Sequence, residues 1–450
     1  MTTQHYHFIG IGGIGISAIA RYYKQQGFSV SGSTDSDSEL IHTLQKEGMT
    51  IHIGHSAENI PRETDRIIYT KAVFGTADTL EEGYRNNVEM IVWVERYIPM
   101  ASYPEALAEI VNAKKCIAIT GSHGKSTTTA MTGIMLAWSA VGWSTLVGTQ
   151  VPGLGNSNLH IENSPYFTIE ACEYKRAFLA YRPYITVITN IELDHLDYYH
   201  DLADYVSAFQ SIINQTSGYV VYDMDDENAQ KLDFSQTKAQ PIRVNHAGWY
   251  DANGVFSAFP DMNLQVPGDH LLFDAKLAFV VWKLLVLDSS YIIKKLDAYT
   301  GCWRRSEIVR TTTSGNILMS DYGHHPTEIR LTLEAIRKKY AHKKLFVVFQ
   351  PHQHSRTREL LSGFVSAFDA VDSLLIPNIY FSRDSDEDVQ YMTIERFVDA
   401  LKSRYPFAQN GHGLPHTADI IRKYDKENPD STIIVLLWAG DVDTLRDEIQ

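Results

Sequence analysis

The run Cys116-Ile117-Ala118-Ile119-Thr120 passes directly into Gly121-Ser122-His123-Gly124-Lys125-Ser126-Thr127-Thr128 and then into a long apolar stretch. An aliphatic run of this kind reads as a strand buried on both faces, and such strands belong to parallel sheets covered by helices. The turn after it carries the parts of a phosphate loop. Its glycines let backbone N–H groups close on an anion, its lysine brings charge, and its hydroxyl can ligate Mg²⁺. The spacing between the glycines is shorter than in the general GxxxxGK[ST] pattern, but the strand-turn-helix context is the required one. Gly121, Ser122, His123, Gly124, Lys125, Ser126 and Thr127 are the expected ATP-binding residues, and the helix is expected from Ser126 to about Ala140.

A second glycine turn opens the chain. Gly10-Ile11-Gly12-Gly13-Ile14-Gly15 follows a short strand expected over His7 to Ile11 and leads into helical apolar spacing from Ile16 to Gln26, with a further strand at Ser29 to Ser31. GxGxxG in this setting fits a diphosphate at a helix N-terminus, and Asp35 and Asp37 follow at the distance of a ribose-binding acid. With ATP better supported at Lys125, this turn serves another ligand. Read alone it also fits an NAD-dependent oxidoreductase, which leaves Lys125-Ser126 unexplained.

Further strands are expected at Tyr166 to Glu170, Ile185 to Thr189, Tyr219 to Tyr222, Ile317 to Ser320, Leu345 to Gln350, Ser373 to Ile376 and Thr432 to Trp438. Strands alternating with helices over 450 residues make an α/β protein of three domains, with joints near residues 110 and 300. The formal net charge of −14 argues against nucleic-acid and anionic-membrane partners, so anionic ligands need local positive sites. Three scattered cysteines, Cys116, Cys172 and Cys302, without zinc spacing, fit a reduced cytoplasmic compartment. The N-terminus lacks the features of a signal peptide, and the longest apolar run, Leu271 to Leu287, is interrupted by Asp274, Lys276 and Lys283.

Phosphoryl transfer calls for carboxylates at strand ends beside Lys125. Glu170 ends one strand, and Asp194-His195 follows another. Among 18 histidines, His324 and His325 lie where a strand ends and Pro326 can start a helix, and His352 and His354 follow the strand ending at Gln350. His5, His7, His412 and His416 read as ordinary core or surface histidines.

Phe8 to Ala18, Thr120 to Thr128, Glu170-Ala171-Cys172-Glu173-Tyr174, Asp321-Tyr322-Gly323-His324-His325-Pro326-Thr327-Glu328 and Gln350-Pro351-His352 with Ser355-Arg356-Thr357 together resemble the Mur ligases of peptidoglycan synthesis, over essentially the whole chain. The resemblance implies a Rossmann-like N-terminal domain binding a UDP-sugar (1–110), a central P-loop-type ATP-binding domain (111–300), and a C-terminal Rossmann-like α/β domain that carries the amino acid and closes over ATP (301–450). It implies a cytoplasmic enzyme, a monomer or homodimer, in a pathway tied to cell shape and division. ATP and Mg²⁺ would activate a carboxylate as an acyl phosphate, which an amine then attacks. Glu170-Ala171-Cys172-Glu173-Tyr174-Lys175-Arg176 is similar to the branch that joins L-alanine to UDP-N-acetylmuramate. The absence of lysine between Lys175 and Lys231 agrees, since sister ligases carry a carbamylated lysine there.

By the same resemblance Lys125, His195, Arg304 and His325 are expected catalytic residues. Ser126, Glu170 and His195 are expected metal ligands. Arg304 or Arg305 would reach ATP, and Asp321 would accept from its ribose. Gly10, Gly12, Gly13, Gly15, Ser33 and Asp35 would hold the UDP-sugar, and His324, His352 and Arg356 the amino acid, with Arg356 preferred over Arg358 as the carboxylate anchor. Three departures stand out. Thr34 intervenes before Asp35; Leu271 and Asp274 occupy places where the family has adenine-contacting asparagines, Asp274 offering acceptors only; and Trp438 before Ala439 replaces a glycine. Two other readings remain: a recycling ligase that adds a tripeptide to the same nucleotide sugar, and a non-catalytic nucleotide-binding protein on a ligase scaffold.

Overall fold

Strand β1 (His5–Ile9) leaves its ladder where the N–H groups of Gly10 and Ile11 both donate to Ser33 O at 2.9 Å, two residues before the expected end at Ile11. The first helix accordingly begins at Ile14, earlier than its apolar spacing suggests, and runs to Gln25. The computed structural model describes residues 3–70, 73, 87–89, 96–137, 142–196, 198–285, 289–382, 384–438 and 440–450. The expected helix end at Ala140, Ala439 and the side chain of Trp438 lie outside what is described.

Beside β1 lie β2 (Ser29–Thr34), β3 (Thr50–Ile53), β4 (Thr64–Tyr69) and β5 (Met100–Ser102), all parallel, in the order 3-2-1-4-5. Strand order reverses between β1 and β4, and loops leaving the carboxyl ends there diverge and open a crevice. The Gly10–Gly15 turn sits at this reversal. Below it, His5 and His7 are buried and share the Ser31 hydroxyl, at 2.9 and 2.7 Å.

The helix Tyr103–Asn112 starts at a capping box in which Glu105 Oε2 accepts from the Ser102 N–H at 2.8 Å. It leads into the second sheet: β6 (Lys115–Thr120), β7 (Ser144–Val151), β8 (Ser157–His160), β9 (Tyr166–Glu170), β10 (Ile185–Ile188), β11 (Tyr219–Asp223), β12 (Gln240–Val244), β13 (Gly248–Tyr250) and β14 (Phe256–Ala258). Their order is 14-13-12-11-10-6-9-7-8, parallel from β12 through β7 and antiparallel at both edges. The phosphate-loop strand β6 lies between β10 and β9. Ile117, Ile119, Ile169 and Val187 are fully buried in these strands, as their unbroken apolar runs require. Ile119 pairs with Glu170, and Thr120 with Ile188, so all three chains end at one level.

The third sheet contains β15 (Glu307–Thr311), β16 (Ile317–Asp321), β17 (Lys344–Gln350), β18 (Ser373–Ile376), β19 (Ala408–Asn410) and β20 (Thr432–Trp438), in the order 15-16-20-17-18-19. Only β15 is antiparallel. The chain divides into two compact units, Met1–Pro260 with Lys276–Ser289, and Asp261–Ala275 with Ser290–Gln450. Among the described residues the first holds two sheets and the second holds one. Among the described residues no helix is long and apolar enough to cross a membrane.

Candidate active site

In the first unit the phosphate turn is braced from the β10 side. Gly121 has φ +132°, and a Cβ there would press on the Thr189 hydroxyl and lie 2.8 Å from Asn190 O. Only glycine lets the two segments approach so closely. Ser122 N donates to Asn190 O at 3.1 Å, and Ser122 Oγ donates to Glu192 O at 2.6 Å while accepting from Glu192 N at 2.8 Å. His123 N donates to Asn190 Oδ1, and Asn190 Nδ2 donates to His123 O, both at 3.0 Å. The amides of Ser122 and His123 are thus spent on the brace. The amides left open to an anion are those of the first turn of the helix Lys125–Leu136, where Gly124 caps with no side-chain bond and N–H groups lack intrahelical acceptors.

From the β9 side come two carboxylates. Glu170 Oε2 accepts from Gly148 N at 2.8 Å. Glu173, three residues on, is fully buried. Its Oε1 and Oε2 each lie 3.1 Å from Lys125 Nζ, and Oε1 lies 3.3 Å from His195 Nε2. Lys125 also donates to the carbonyls of Gly121, at 2.5 Å, and Ser122, at 3.0 Å. Burial works against the Lys125 ammonium, but the charges of Glu173 and Glu170 outweigh it and hold this lysine above its ordinary range. Burial likewise pushes Glu173 up, and Lys125 and His195 reverse that and hold it below the usual carboxylate range. The structure thus brings Lys125 and His195 together through Glu173, to which sequence reasoning assigned no role. Its Glu-x-x-Glu spacing from Glu170 was the available signal.

The N-terminal turn has its own buried carboxylate. Ser33 Oγ is completely buried and donates to Glu89 Oε2 at 2.5 Å, while Glu89 also meets His55 Nδ1 at 2.8 Å and Asn59 Nδ2 at 2.8 Å. The exposed Asp35 lies 3.1 Å from His55 Nε2. Ser33 therefore shapes the turn, its carbonyl taking the Gly10 and Ile11 amides. Gly13 caps the following helix with no side-chain bond, which leaves first-turn N–H groups to an anion. Gly12 packs on Thr34 and Gly15 on Tyr103.

The second unit collects residues at the carboxyl ends of β16 and β17. Asp321 is buried and accepts from Ser306 N at 2.6 Å and Gly323 N at 2.8 Å; burial raises its pKa against the charge of Arg305 and these two bonds. The Arg304 guanidinium stacks 3.4 Å from the Trp303 ring centroid and pairs with Asp443 at 3.3 Å. Arg305 lies 4.9 Å over Tyr322 and 3.8 Å from Glu328. His325 caps the helix Pro326–Lys339, its Nδ1 accepting from Thr327 N at 3.3 Å, and His324 lies 3.5 Å from Glu328. His352 stacks on Tyr380 with centroids 5.5 Å apart. Arg356 lies on the helix His354–Glu359, while Arg358 is engaged by Asp388 at 2.9 Å. Asp274 is buried, and His270, four residues earlier on the same helix, is pushed down to about 4 by burial, which Glu328 and Asp269 oppose. A cleft of about 410 Å³ separates Leu264–His270 from Leu331, Ala335 and Lys339.

Family models for the Mur ligase family catalytic domain, the Mur ligase middle domain and the Mur ligase glutamate ligase domain match residues 5–115, 119–276 and 304–437. A UDP-N-acetylmuramate–L-alanine ligase of Alkaliphilus metalliredigens is 34% identical, covering 98% of this chain and 95% of its own. One from Clostridium acetobutylicum is 34% identical, with 97% and 95% covered. Among solved structures, the UDP-N-acetylmuramate-alanine ligase of Thermotoga maritima superposes with a TM-score of 0.79 at 25% identity, covering 98% of this chain and 97% of that one. The murein peptide ligase of Psychrobacter arcticus shares the fold, with a TM-score of 0.68 at 18% identity over 99% and 97% of the two chains. Three matched domains in order, full-length relatives and a three-sheet α/β architecture with its phosphate turn intact place the chain in one group: it belongs to the Mur ligase family.

Proposed function

We propose that the protein joins L-alanine to the lactyl carboxylate of UDP-N-acetylmuramate at the expense of ATP, in the synthesis of peptidoglycan precursors. The observation that carries this reading is the near full-length likeness to ligases named for that reaction. The braced phosphate turn with Lys125 at its end supports it. An oxygen of the lactyl carboxylate attacks the γ-phosphorus, the bond to the bridging oxygen breaks, and ADP departs. The alanine nitrogen then attacks the acyl carbon, phosphate leaves, and the nitrogen gives up a proton.

A carboxylate approaching a triphosphate meets like charge, so the first step depends on cations fixed beforehand. Lys125 and the first-turn amides at Gly124 to Thr127 supply part of that field. The Ser126 hydroxyl and the Glu170 carboxylate are the hard oxygen donors that suit a divalent cation at the end of β9, and Mg²⁺ held there would neutralise phosphate charge. His195 offers Nδ1 as a further donor, its Nε2 facing Glu173. Residues 1–110 take the UDP-sugar at the Gly10–Gly15 turn, 111–300 take ATP, and 301–450 bring the amino acid through His324, His325, His352 and Arg356. Asp274, Arg304, Arg305 and Asp321 serve the nucleotide.

The test is phosphate release with ATP, Mg²⁺ and UDP-N-acetylmuramate, run with L-alanine, with the cell-wall tripeptide and with no acceptor. Release that requires the sugar and L-alanine and is abolished in Lys125→Ala supports the reading. Release with the tripeptide alone moves the protein to recycling, and no release under any condition overturns the ligase assignment.

A further inference from the structure

The Glu173 carboxylate is fully enclosed, between Lys125 on the phosphate turn and His195 after β10. Three more contacts fix it in place. Tyr199 donates to its backbone carbonyl at 2.5 Å, Arg176 N donates to the same carbonyl at 2.8 Å, and Tyr205 donates to Oε1 at 3.3 Å while also meeting Ser122 Oγ at 3.0 Å. The backbone around it is held in conformations that side-chain-bearing residues avoid: Lys175 has φ +49°, Arg176 +55° and His195 +56°. Strain of that kind survives only where the surroundings over-determine it, and it concentrates at functional sites. Here two strained segments, one after β9 and one after β10, meet at a single carboxylate. The Tyr174 ring covers the His195 imidazole, with centroids 4.7 Å apart.

We propose that Glu173 is a positioning residue for the ligase reaction: one buried carboxylate that sets the Lys125 ammonium at the phosphate turn and turns His195 so that Nε2 faces it and Nδ1 faces away. The inference rests on the ligase reading and goes beyond it. A carboxylate or imidazole that serves catalysis is commonly oriented by a second group behind it, and removing that group misplaces the first without deleting it. Glu173 stands behind two such side chains at once. Lys125 in turn has its protons on Glu173 and two turn carbonyls, so the ammonium is held at the turn before a triphosphate arrives.

A positioning role separates from a packing role by how binding and turnover divide. In the full-length protein, Glu173→Gln keeps volume and removes charge, and Glu173→Asp keeps charge and withdraws it by one methylene. Calorimetric titration with ATP, in EDTA and again with Mg²⁺, measures binding without turnover. Phosphate release with UDP-N-acetylmuramate and L-alanine measures kcat, and a thermal melt measures folding. The expected result is a kcat at least about 30-fold lower in Glu173→Gln, an ATP Kd in EDTA at least about fivefold weaker because the misplaced ammonium no longer meets the phosphates, and partial recovery of kcat in Glu173→Asp. The ATP affinity of Lys125→Ala should not change when Glu173→Gln is added, because the two residues act as a unit.

An unaltered kcat in Glu173→Gln overturns the proposal. So do additive effects of the two substitutions on ATP affinity, or equal loss of thermal stability and activity in the Gln and Asp variants. If wild-type protein releases no phosphate with any acceptor, the ligase reading fails. The binding cycle, which needs only ATP and Lys125, then decides for or against Glu173 by itself.

Discussion

Asn190 grips the backbone of His123 on both sides of its α-carbon, its Oδ1 accepting from His123 N and its Nδ2 donating to His123 O, each at 3.0 Å. The phosphate turn is therefore shaped by a side chain far along the sequence as much as by its own glycines. Asn190→Ala removes both bonds; His123 O keeps the Thr189 hydroxyl as donor, while the lost bond from the partly buried His123 N–H costs about 1 to 3 kcal/mol. The expected outcome is a melting temperature lower by several degrees and an ATP KM raised at least about tenfold, read by thermal shift and steady-state phosphate release.

Gly121→Ala places a methyl group against Thr189 and Asn190 at a φ of +132°. Neither segment can retreat without breaking the brace. ATP-dependent turnover should fall by at least about a hundredfold, with far-UV circular dichroism unchanged. Activity within threefold of wild type would show that the turn can move.

Cation removal gives a third prediction. EDTA should abolish phosphate release and restored Mg²⁺ should recover it, and Glu170→Gln should raise the Mg²⁺ concentration for half-maximal rate by about tenfold or more. A Glu170→Gln enzyme with a wild-type Mg²⁺ curve would remove Glu170 from the ligand set.

Acid stability supplies a fourth. Burial, with His5, His52 and His55 as like-charged neighbours, pushes His7 down from its ordinary 6.5 to about 3. The folded state thus disfavours the imidazolium that the unfolded chain readily forms. The stability this neutral His7 represents is whole above about pH 6.5 and is lost progressively as pH falls towards 3. It amounts to on the order of a few kcal/mol. Chemical denaturation of wild type and His7→Gln across that range should show a steeper loss in wild type.

Much of the architecture was legible because buried parallel strands write themselves as unbroken apolar runs. Tyr166–Glu170, Ser373–Ile376 and Thr432–Trp438 begin and end where their composition says. The first strand was misjudged by two residues at each end, since Gly10 and Ile11 continue its apolar run while their amides already turn to Ser33 O. Pro326 announced its helix, but His325 as the cap did not, because imidazole is not among the usual capping side chains. Glu89 was illegible, and Glu173 was marked only by its Glu-x-x-Glu spacing from Glu170, for another reason. Their importance lies in which strands stand side by side, and the order 10-6-9 is not written in any local stretch. Ser33 looked like a ligand contact in sequence, whereas its hydroxyl is enclosed and donates to Glu89.

That same strand order bears on how the molecule is made. β6 and its turn leave the ribosome before β9 and β10, the two strands that must close on either side of them. Pairing across such separations is slow compared with forming a local helix. The nucleotide site is thus completed only once residue 195 has emerged and docked. A nascent chain halted between the glycine turn and residue 190 carries the loop sequence without the Asn190 and Glu192 contacts that brace it.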